Sequence, residues 1–154
     1  MDIRDNVNHS DPTIAGVLEA ALYVEDLDFS TRFYRELFGF EQEIYNEFIS
    51  VLRVAPAQVF ILFPHAVASQ PARTSSPAGI VNGIIPAHGV TSGRMHIAFA
   101  ISEPEKTFWK QRLAERNIVI EGEVAWNRGG CSLYFRDPDD HLVELVTPGL
   151  WSNY

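Results

Sequence analysis

Apolar side chains recur at strand spacing in some parts of this chain and at helix spacing in others. Residues 17–24 alternate between inward and outward positions, which is typical of a strand. A helical pattern follows directly, because Asp26 is a good N-cap and Gly39 a good C-terminal stop. Between these two residues we expect one helix with a single apolar stripe. That stripe consists of Phe29, Phe33, Tyr34 and Leu37.

Three short strands are predicted after this helix, near residues 41–47, 49–54 and 58–63. The last of them is apolar throughout, which favours a central place in the sheet. Residues 65–94 follow, rich in Pro, Ala, Gly and Ser and without a sustained period. So long a connection inside a compact domain is usually functional or mobile, and we expect it to act as a lid.

The second half of the chain repeats the first. Residues 19–26, EAALYVED, align without gaps on residues 96–103, HIAFAISE. The helical pattern also recurs, at an offset of about 76 to 77 residues, and Ser102 and Glu105 form a capping-box pattern at its start. Its apolar stripe consists of Phe108, Trp109 and Leu113, and strands are predicted near 118–126, 131–136 and 142–146.

The repeat predicts an α+β fold in which a βαβββ module occurs twice. Neither half has enough strands to close on itself, so the two should pair into one curved, cup-shaped mixed sheet. Residues 1–13 are expected to be a flexible leader and residues 14–154 a single domain. Within that domain the modules are predicted at about 14–64 and 95–147, with the connection at 65–94 and a tail at 148–154.

Three residues at apolar strand positions are typical metal ligands: Glu19, His96 and Glu144. Because successive strand side chains point to opposite faces, each belongs to an otherwise apolar face that should point inward. Burying a lone carboxylate costs several kcal/mol, and two nearby carboxylates repel each other. We therefore expect the three side chains to converge on one divalent cation.

Composition and charge indicate which classes of molecule this protein could bind. The 154 residues are 46% hydrophobic, enough for one domain with a real core. A formal net charge of -8, with 12 scattered Lys and Arg residues, argues against nucleic acid and anionic membrane surfaces. No signal peptide or membrane-spanning run is recognised, and the single cysteine, Cys131, agrees with a reducing compartment. We expect a cytoplasmic protein that binds a small molecule, with Cys131 serving in packing.

Longer segments of the chain resemble a known superfamily. They are LYVEDLDFSTRFYRELFGF in the first half, MHIAFAI at the start of the second, and GGCSLYFRDPDDHLVELVTPGLW at its end. With the duplicated plan, they resemble the vicinal oxygen chelate superfamily of glyoxalases, bleomycin-resistance proteins and extradiol dioxygenases, over roughly residues 14–151. The resemblance implies a homodimer, with Glu19, His96 and Glu144 at the metal-carrying positions.

The ligand set implied by the resemblance bears on the chemistry. Members often have His where this chain has Glu19, and non-haem Fe(II) oxygenases favour two His and one carboxylate. Two carboxylates and one His are similar to the glyoxalase I branch, where the metal, zinc or nickel, polarises a substrate oxygen while a carboxylate moves the proton. Glyoxalase I usually has a fourth ligand where this chain has residues 59–63, which contain none. That leaves three ligands, as in the fosfomycin-resistance branch.

The resemblance therefore implies a divalent-metal enzyme with lyase or isomerase chemistry on a small oxygenated substrate. The ion would be Zn, Ni, Mn or Fe, and either Glu19 or Glu144 would detach to act as the catalytic base. Trp126 and Tyr134 are candidate substrate contacts on the strands of the cup. The remaining histidines of the domain are expected to be solvent-exposed: His65, His88 and His141.

Two alternatives are compatible with the same residues. A ring-cleaving dioxygenase would use Fe(II) and a ligand set closer to two histidines. A metal-free binding protein, like the drug-sequestering members of the superfamily, would hold a cationic ligand in the acidic cup by charge.

Overall fold

The first half of the chain folds into a four-stranded mixed sheet packed against one long helix. The computed structural model describes residues 14, 16–68, 75–76, 79–80 and 93–153. The first module contains β1 (Glu19–Val24), α1 (Leu27–Phe38), β2 (Glu41–Asn46), β3 (Ile49–Ala55) and β4 (Gln58–Pro64). Its strand order is β1-β4-β3-β2, in which β1 runs parallel to β4 and the other neighbours are antiparallel.

The second half repeats this arrangement. A connection containing α2 (His65–Ala68), β5 (Ser75–Ser76) and β6 (Gly79–Ile80) leads to the second module. That module contains β7 (His96–Ala100), a 3-10 turn (Glu103–Glu105), α3 (Lys106–Glu115), β8 (Gly122–Ala125), β9 (Cys131–Arg136) and β10 (Leu142–Val146). Its strand order is β7-β10-β9-β8, and β7 is parallel to β10. The predicted α+β fold with a duplicated βαβββ module is confirmed, as two four-stranded sheets.

The sequence signals at the helix starts work as predicted. The Asp26 side chain accepts a hydrogen bond from the backbone N–H of Phe29 at 2.9 Å and so caps α1. Gly39 ends this helix in the left-handed conformation, at φ 76°, which glycine adopts without a Cβ penalty. At the second helical segment, the Ser102 hydroxyl donates to Glu105 Oε2 at 2.6 Å.

One hydrophobic core joins the two modules. Its buried members come from both sheets and both long helices, and include Leu22, Tyr34, Phe60, Leu113, Leu133 and Leu145. Aromatic rings meet across the boundary, because the Phe99 ring lies 4.9 Å from the Phe38 ring and 5.8 Å from the Phe60 ring, measured between centroids. Since strand side chains alternate, the opposite face of each sheet is left for a ligand site.

A polar network also ties the second module to the first. The turn after β9 carries Asp137, whose carboxylate accepts a hydrogen bond from the Tyr34 hydroxyl at 2.7 Å. Asp139, in the same turn, accepts one from the Ser30 hydroxyl at 2.7 Å. Burial raises the pKa of Asp137, although the Tyr34 hydrogen bond opposes that rise. Both contacts join the last hairpin of the chain to its first helix.

His141, from the same turn, is buried, so the expectation that it lies in solvent is wrong. Its Nδ1 accepts a hydrogen bond from the backbone N–H of Met95 at 2.9 Å. Its Nε2 lies 2.8 Å from the carbonyl oxygen of Tyr23, which places the ring proton on Nε2. His65 also differs from expectation, because it is half-buried, with its ring 6.4 Å from that of Tyr23.

Two expectations about the second module are also wrong in part. The strand predicted near 118–126 is limited to β8, because the chain first turns back at Ile118, whose N–H bonds to the carbonyl of Leu113. Phe108 is 55% exposed and does not belong to the buried stripe of α3. Its ring lies 5.9 Å from the Arg112 guanidinium instead.

Some predictions concern segments outside the described residues. These are the leader at 1–13, His88, and most of the proposed lid between 65 and 94. Among the helices that the structure does describe, none has the length and apolar character needed to span a bilayer.

Replacing Tyr34 with Phe should lower the free energy of unfolding by about 2 kcal/mol, because the buried Asp137 carboxylate loses a donor while the ring keeps its packing. Burial, with a further contribution from Asp137, raises the pKa of Tyr34 well above its ordinary value. The stabilisation is therefore complete below the unfolded-state value of about 10 and is lost as pH rises through the folded-state pKa.

Urea denaturation of both proteins at neutral and alkaline pH would measure the effect. Tyr45→Phe is the matched control, since Tyr45 is 42% exposed and its variant should retain wild-type stability. Equal stability of the Tyr34 and Tyr45 variants would contradict a stabilising role for the network.

Candidate functional site

The second sheet carries a cluster of polar side chains on the face opposite to the core. The β9–β10 register places Tyr134 beside Glu144, and the β10–β7 register places His96 beside Leu142. Ser132 precedes Tyr134 by two residues on β9 and points to the same face. Strand pairing therefore brings His96 and Glu144 together, although they lie far apart in sequence.

Glu144 is the buried centre of this cluster, with a side chain only 6% exposed. Its Oε1 accepts hydrogen bonds from the Ser132 hydroxyl and from the Tyr134 hydroxyl, the latter at 3.0 Å. Burial raises the pKa of the Tyr134 phenol, and the neighbouring carboxylate adds to the rise, so the phenol is kept as a donor. The two hydroxyls offset part of the cost of removing a carboxylate from water.

His96 faces the other oxygen of this carboxylate. Its Nε2 lies 3.2 Å from Glu144 Oε2, and its Nδ1 lies 3.1 Å from the carbonyl oxygen of Leu142. A carbonyl oxygen can only accept, so this contact is a hydrogen bond in the tautomer that carries its proton on Nδ1. The Nε2 is then either a bare lone pair directed at Oε2 or a second protonated nitrogen.

Glu19 lies apart from this pair, at the start of β1 in the other sheet, and is exposed. Its cross-strand neighbours are Val59 and, one strand further, Arg53. Arg53 binds Glu41 at 3.0 Å and Glu43 at 3.5 Å rather than Glu19. Within the described part of the chain, the Glu19 side chain has no hydrogen-bond or ion-pair partner.

The three predicted ligands therefore do not meet in a single chain. Across the described residues, no group of three or more His, Cys, Asp or Glu side chains is close enough to hold a metal ion. The expectation of burial holds for Glu144 alone, because Glu19 is exposed and the His96 side chain is 47% exposed. One chain thus places the pair of His96 and Glu144 on one sheet and the Glu19 carboxylate on the other.

The two predicted substrate contacts both take part in the network around Glu144. Tyr134 bonds to the carboxylate directly, and Trp126 Nε1 donates to Ser132 Oγ at 2.8 Å. The sequence prediction missed Ser132. Its signal is a hydroxyl in the buried run CSLYF, two residues before Tyr134 and therefore on the same strand face.

The neighbouring Cys131 remains a packing residue. Its thiol is buried, and burial raises its pKa, which disfavours the reactive thiolate. The Sγ lies 3.7 Å from Glu123 Oε1, a carboxylate that would further disfavour a second negative charge.

The chemistry of the pair fits a divalent metal ion. Metal-binding histidines usually donate their other ring N–H to a carbonyl or carboxylate, as His96 does to Leu142. An imidazole nitrogen and a carboxylate oxygen are ligands for Zn, Ni, Mn and Fe. The side chains of His96 and Glu144 are thus suited to serve as two ligands of such a site, which would need a further ligand to be complete.

Comparison by sequence places this site in a known family context. The chain matches the family model of the Glyoxalase/Bleomycin resistance protein/Dioxygenase superfamily over residues 16–145. It is 39% identical over 64 residues to the metallothiol transferase FosB of Staphylococcus saprophyticus, covering 41% of this chain and only 42% of that relative. It is 29% identical over 134 residues to fosfomycin resistance protein FosX of Listeria monocytogenes, covering 86% of this chain and 89% of that one.

Solved structures share the architecture. The lactoylglutathione lyase of Agrobacterium tumefaciens superposes with a TM-score of 0.77 at 30% identity, covering 93% of this chain and 99% of that one. A variant of FosX from Listeria monocytogenes, solved with Mn(II) and 1S,2S-dihydroxypropylphosphonic acid, gives a TM-score of 0.59 at 23% identity, covering 86% and 90%. The second likeness shows the fold alone.

Proposed function

We propose that this chain, which belongs to the Glyoxalase/Bleomycin resistance protein/Dioxygenase superfamily, is a divalent-metal-dependent enzyme acting on a small oxygenated substrate. His96, Glu144 and Glu19 would hold the ion, which when bound would polarise a substrate oxygen. The observation that carries the proposal is the contact of 3.2 Å between His96 Nε2 and Glu144 Oε2.

In the tautomer that carries its proton on Nδ1, this contact is favourable only with a positive charge between its two atoms. With Nδ1 protonated, a neutral His96 directs an Nε2 lone pair at a carboxylate oxygen, which is repulsive. A proton on Nε2 would turn the contact into an ion pair, and a metal ion would coordinate both atoms. The donor set and the superfamily favour the metal, and metal titration separates the two cases.

The third ligand, Glu19, is proposed to come from a second copy of the chain. In one copy it lies on the first sheet, exposed and without a described partner, while the other two ligands lie on the second sheet. In a two-fold symmetric dimer, each first sheet can face the second sheet of the partner, so one interface forms two equal sites. This arrangement removes both exposed ligands from solvent.

The surroundings of the two carboxylates also differ in a way that divides their roles. Glu144 is held on Oε1 by two hydroxyls, so it is suited to staying in place as a ligand. Glu19 lacks such supports among the described residues, so it is the better candidate to detach and move a proton. Tyr134, half-buried on the same face of the sheet as Glu144, would contact the substrate.

The reaction we favour is lyase or isomerase chemistry of the glyoxalase type. The overall match to the lactoylglutathione lyase at 30% identity supports it. A second candidate is inactivation of fosfomycin or a similar phosphonate, favoured by the match to FosX over 89% of its length. Both reactions act on a small oxygen-rich substrate.

Metal titration tests the proposed site. Protein treated with chelator and then freed of it should bind one Mn2+ or Zn2+ per chain, measured by calorimetry. His96→Ala and Glu144→Gln should weaken binding by more than the roughly 10- to 100-fold typical of losing a supporting residue, because each removes a ligand. Glu115→Gln, at an exposed carboxylate on α3, is the control and should bind like the wild type. Absence of binding by the wild type would favour the protonated ion pair and a metal-free binding protein.

Mixing two defective variants tests the shared site. Glu19→Ala and Glu144→Ala homodimers should each fail to bind metal tightly. Co-expressed in equal amounts, they should recover about one quarter of the wild-type sites, because half of the dimers are mixed and each of these has one complete site. A matched mixture of His96→Ala and Glu144→Ala should recover no sites, because one chain supplies both His96 and Glu144 to each site, so every site in a mixed dimer lacks a ligand. Equal recovery in the two mixtures would contradict the arrangement.

Turnover assays separate the reaction classes. The favoured chemistry predicts metal-dependent conversion of the hemithioacetal of methylglyoxal and glutathione, followed by ultraviolet absorbance. Glu19→Gln should lower kcat on the order of 100- to 10,000-fold if this carboxylate moves the proton. Loss of fosfomycin in phosphorus NMR, with or without added thiol, would support the second candidate. Oxygen uptake with catechols in the Fe(II) protein would instead indicate a dioxygenase and contradict both.

A further inference from the structure

We propose that Trp126 and Ser132 are positioning residues that fix which oxygen of Glu144 faces the metal. The inference rests on the proposed function, in which Glu144 is a ligand. It adds a series of hydrogen bonds behind this ligand, which we call the relay. The relay runs from Trp126 Nε1 to Ser132 Oγ at 2.8 Å, and from the Ser132 hydroxyl to Glu144 Oε1.

The indole of Trp126 fixes the direction of the hydrogen bonds in the relay. An indole N–H can only donate, so Ser132 Oγ must accept from Trp126. A serine hydroxyl has a single proton, and that proton is then left for Glu144. Each hydrogen bond polarises the next, so the Trp126 N–H strengthens the donation from Ser132 to the carboxylate.

The effect on Glu144 is to make its two oxygens different. Ser132 and Tyr134 both donate to Oε1, while Oε2 faces His96 Nε2 at 3.2 Å. Rotation of the carboxylate would break two hydrogen bonds in a buried site. Oε2 is therefore held toward the candidate metal position before any ion binds, which lowers the ordering cost of binding.

A buried serine elsewhere in the chain provides a contrast. Ser50 lies on β3, the inner strand that corresponds to β9 in the strand order of the other sheet. Both serines are fully buried, but the Ser50 hydroxyl has no hydrogen-bond partner among the described residues. Loss of the hydroxyl should therefore affect metal binding at Ser132 and leave it unchanged at Ser50.

The test measures Mn2+ affinity of the full chain, using the electron paramagnetic resonance signal of the free ion. Ser132→Ala should weaken Mn2+ binding roughly 10- to 100-fold, as loss of an outer-shell partner usually does. Ser132→Thr, which keeps the hydroxyl, should restore most of the affinity. Trp126→Phe, which keeps a ring but lacks the N–H, should weaken binding about 2- to 10-fold. Ser50→Ala should match the wild type.

The outcomes separate the relay from the metal site itself. Measurements are made at a temperature where circular dichroism shows each variant to be folded, so lost stability alone does not move the affinity. Wild-type affinity in both Ser132→Ala and Trp126→Phe would overturn the relay, even if Glu144→Gln abolishes binding. If the wild type itself binds no Mn2+, or Glu144→Gln binds it normally, the proposed metal site fails and the relay fails with it. Should Ser132→Ala not fold, Trp126→Phe alone decides.

Discussion

A carboxylate removed from water is the constraint around which the second module is organised. Glu144 cannot be buried without donors for its oxygens and a positive charge near them, because the loss of hydration costs several kcal/mol. The structure supplies two hydroxyls from β9 and an imidazole from β7. These partners lie on the two strands that flank β10, which carries Glu144, so the three strands must pair in one register for the carboxylate to be tolerated.

The packing of the two modules determines where Glu19, the proposed third ligand, lies. The core between them is formed by the helices and the inner sheet faces, with Phe38, Phe60 and Phe99 in contact across the boundary. The turn containing Asp137 and Asp139 reinforces this arrangement by bonding to α1. Because the modules meet through these faces, their other faces are directed away from the shared core, and Glu19 is separated from His96. Packing that stabilises one chain thus keeps Glu19 apart from the pair of His96 and Glu144.

Sequence periodicity predicted most of the fold, because the repeat, the N-cap at Asp26 and the stop at Gly39 are local signals. It also selected His96 and Glu144, which the strands do bring together. It could not show how the two modules face each other, since that depends on long-range packing, and so it left open whether Glu19 joins the other two residues within one chain or across a dimer. His141 was misjudged for a similar reason, because its partners, Tyr23 on β1 and Met95 just before β7, are distant from it in sequence. Ser132 was missed because its signal, a hydroxyl on the same strand face as Tyr134, does not by itself distinguish a hydrogen-bond donor from a packing residue.

The division of the site into a rigid half and a separate carboxylate has a thermodynamic consequence. His96 and Glu144 are fixed by adjacent strands of one module, so their mutual geometry is set by folding of the chain. Glu19, on the proposed arrangement, reaches them only when two copies associate. Ion binding and dimerisation are then thermodynamically linked, because an ion that binds the complete site more tightly must also stabilise the dimer. The same linkage would keep isolated chains weak in metal binding, because two ligands and water hold a divalent ion less firmly than three ligands.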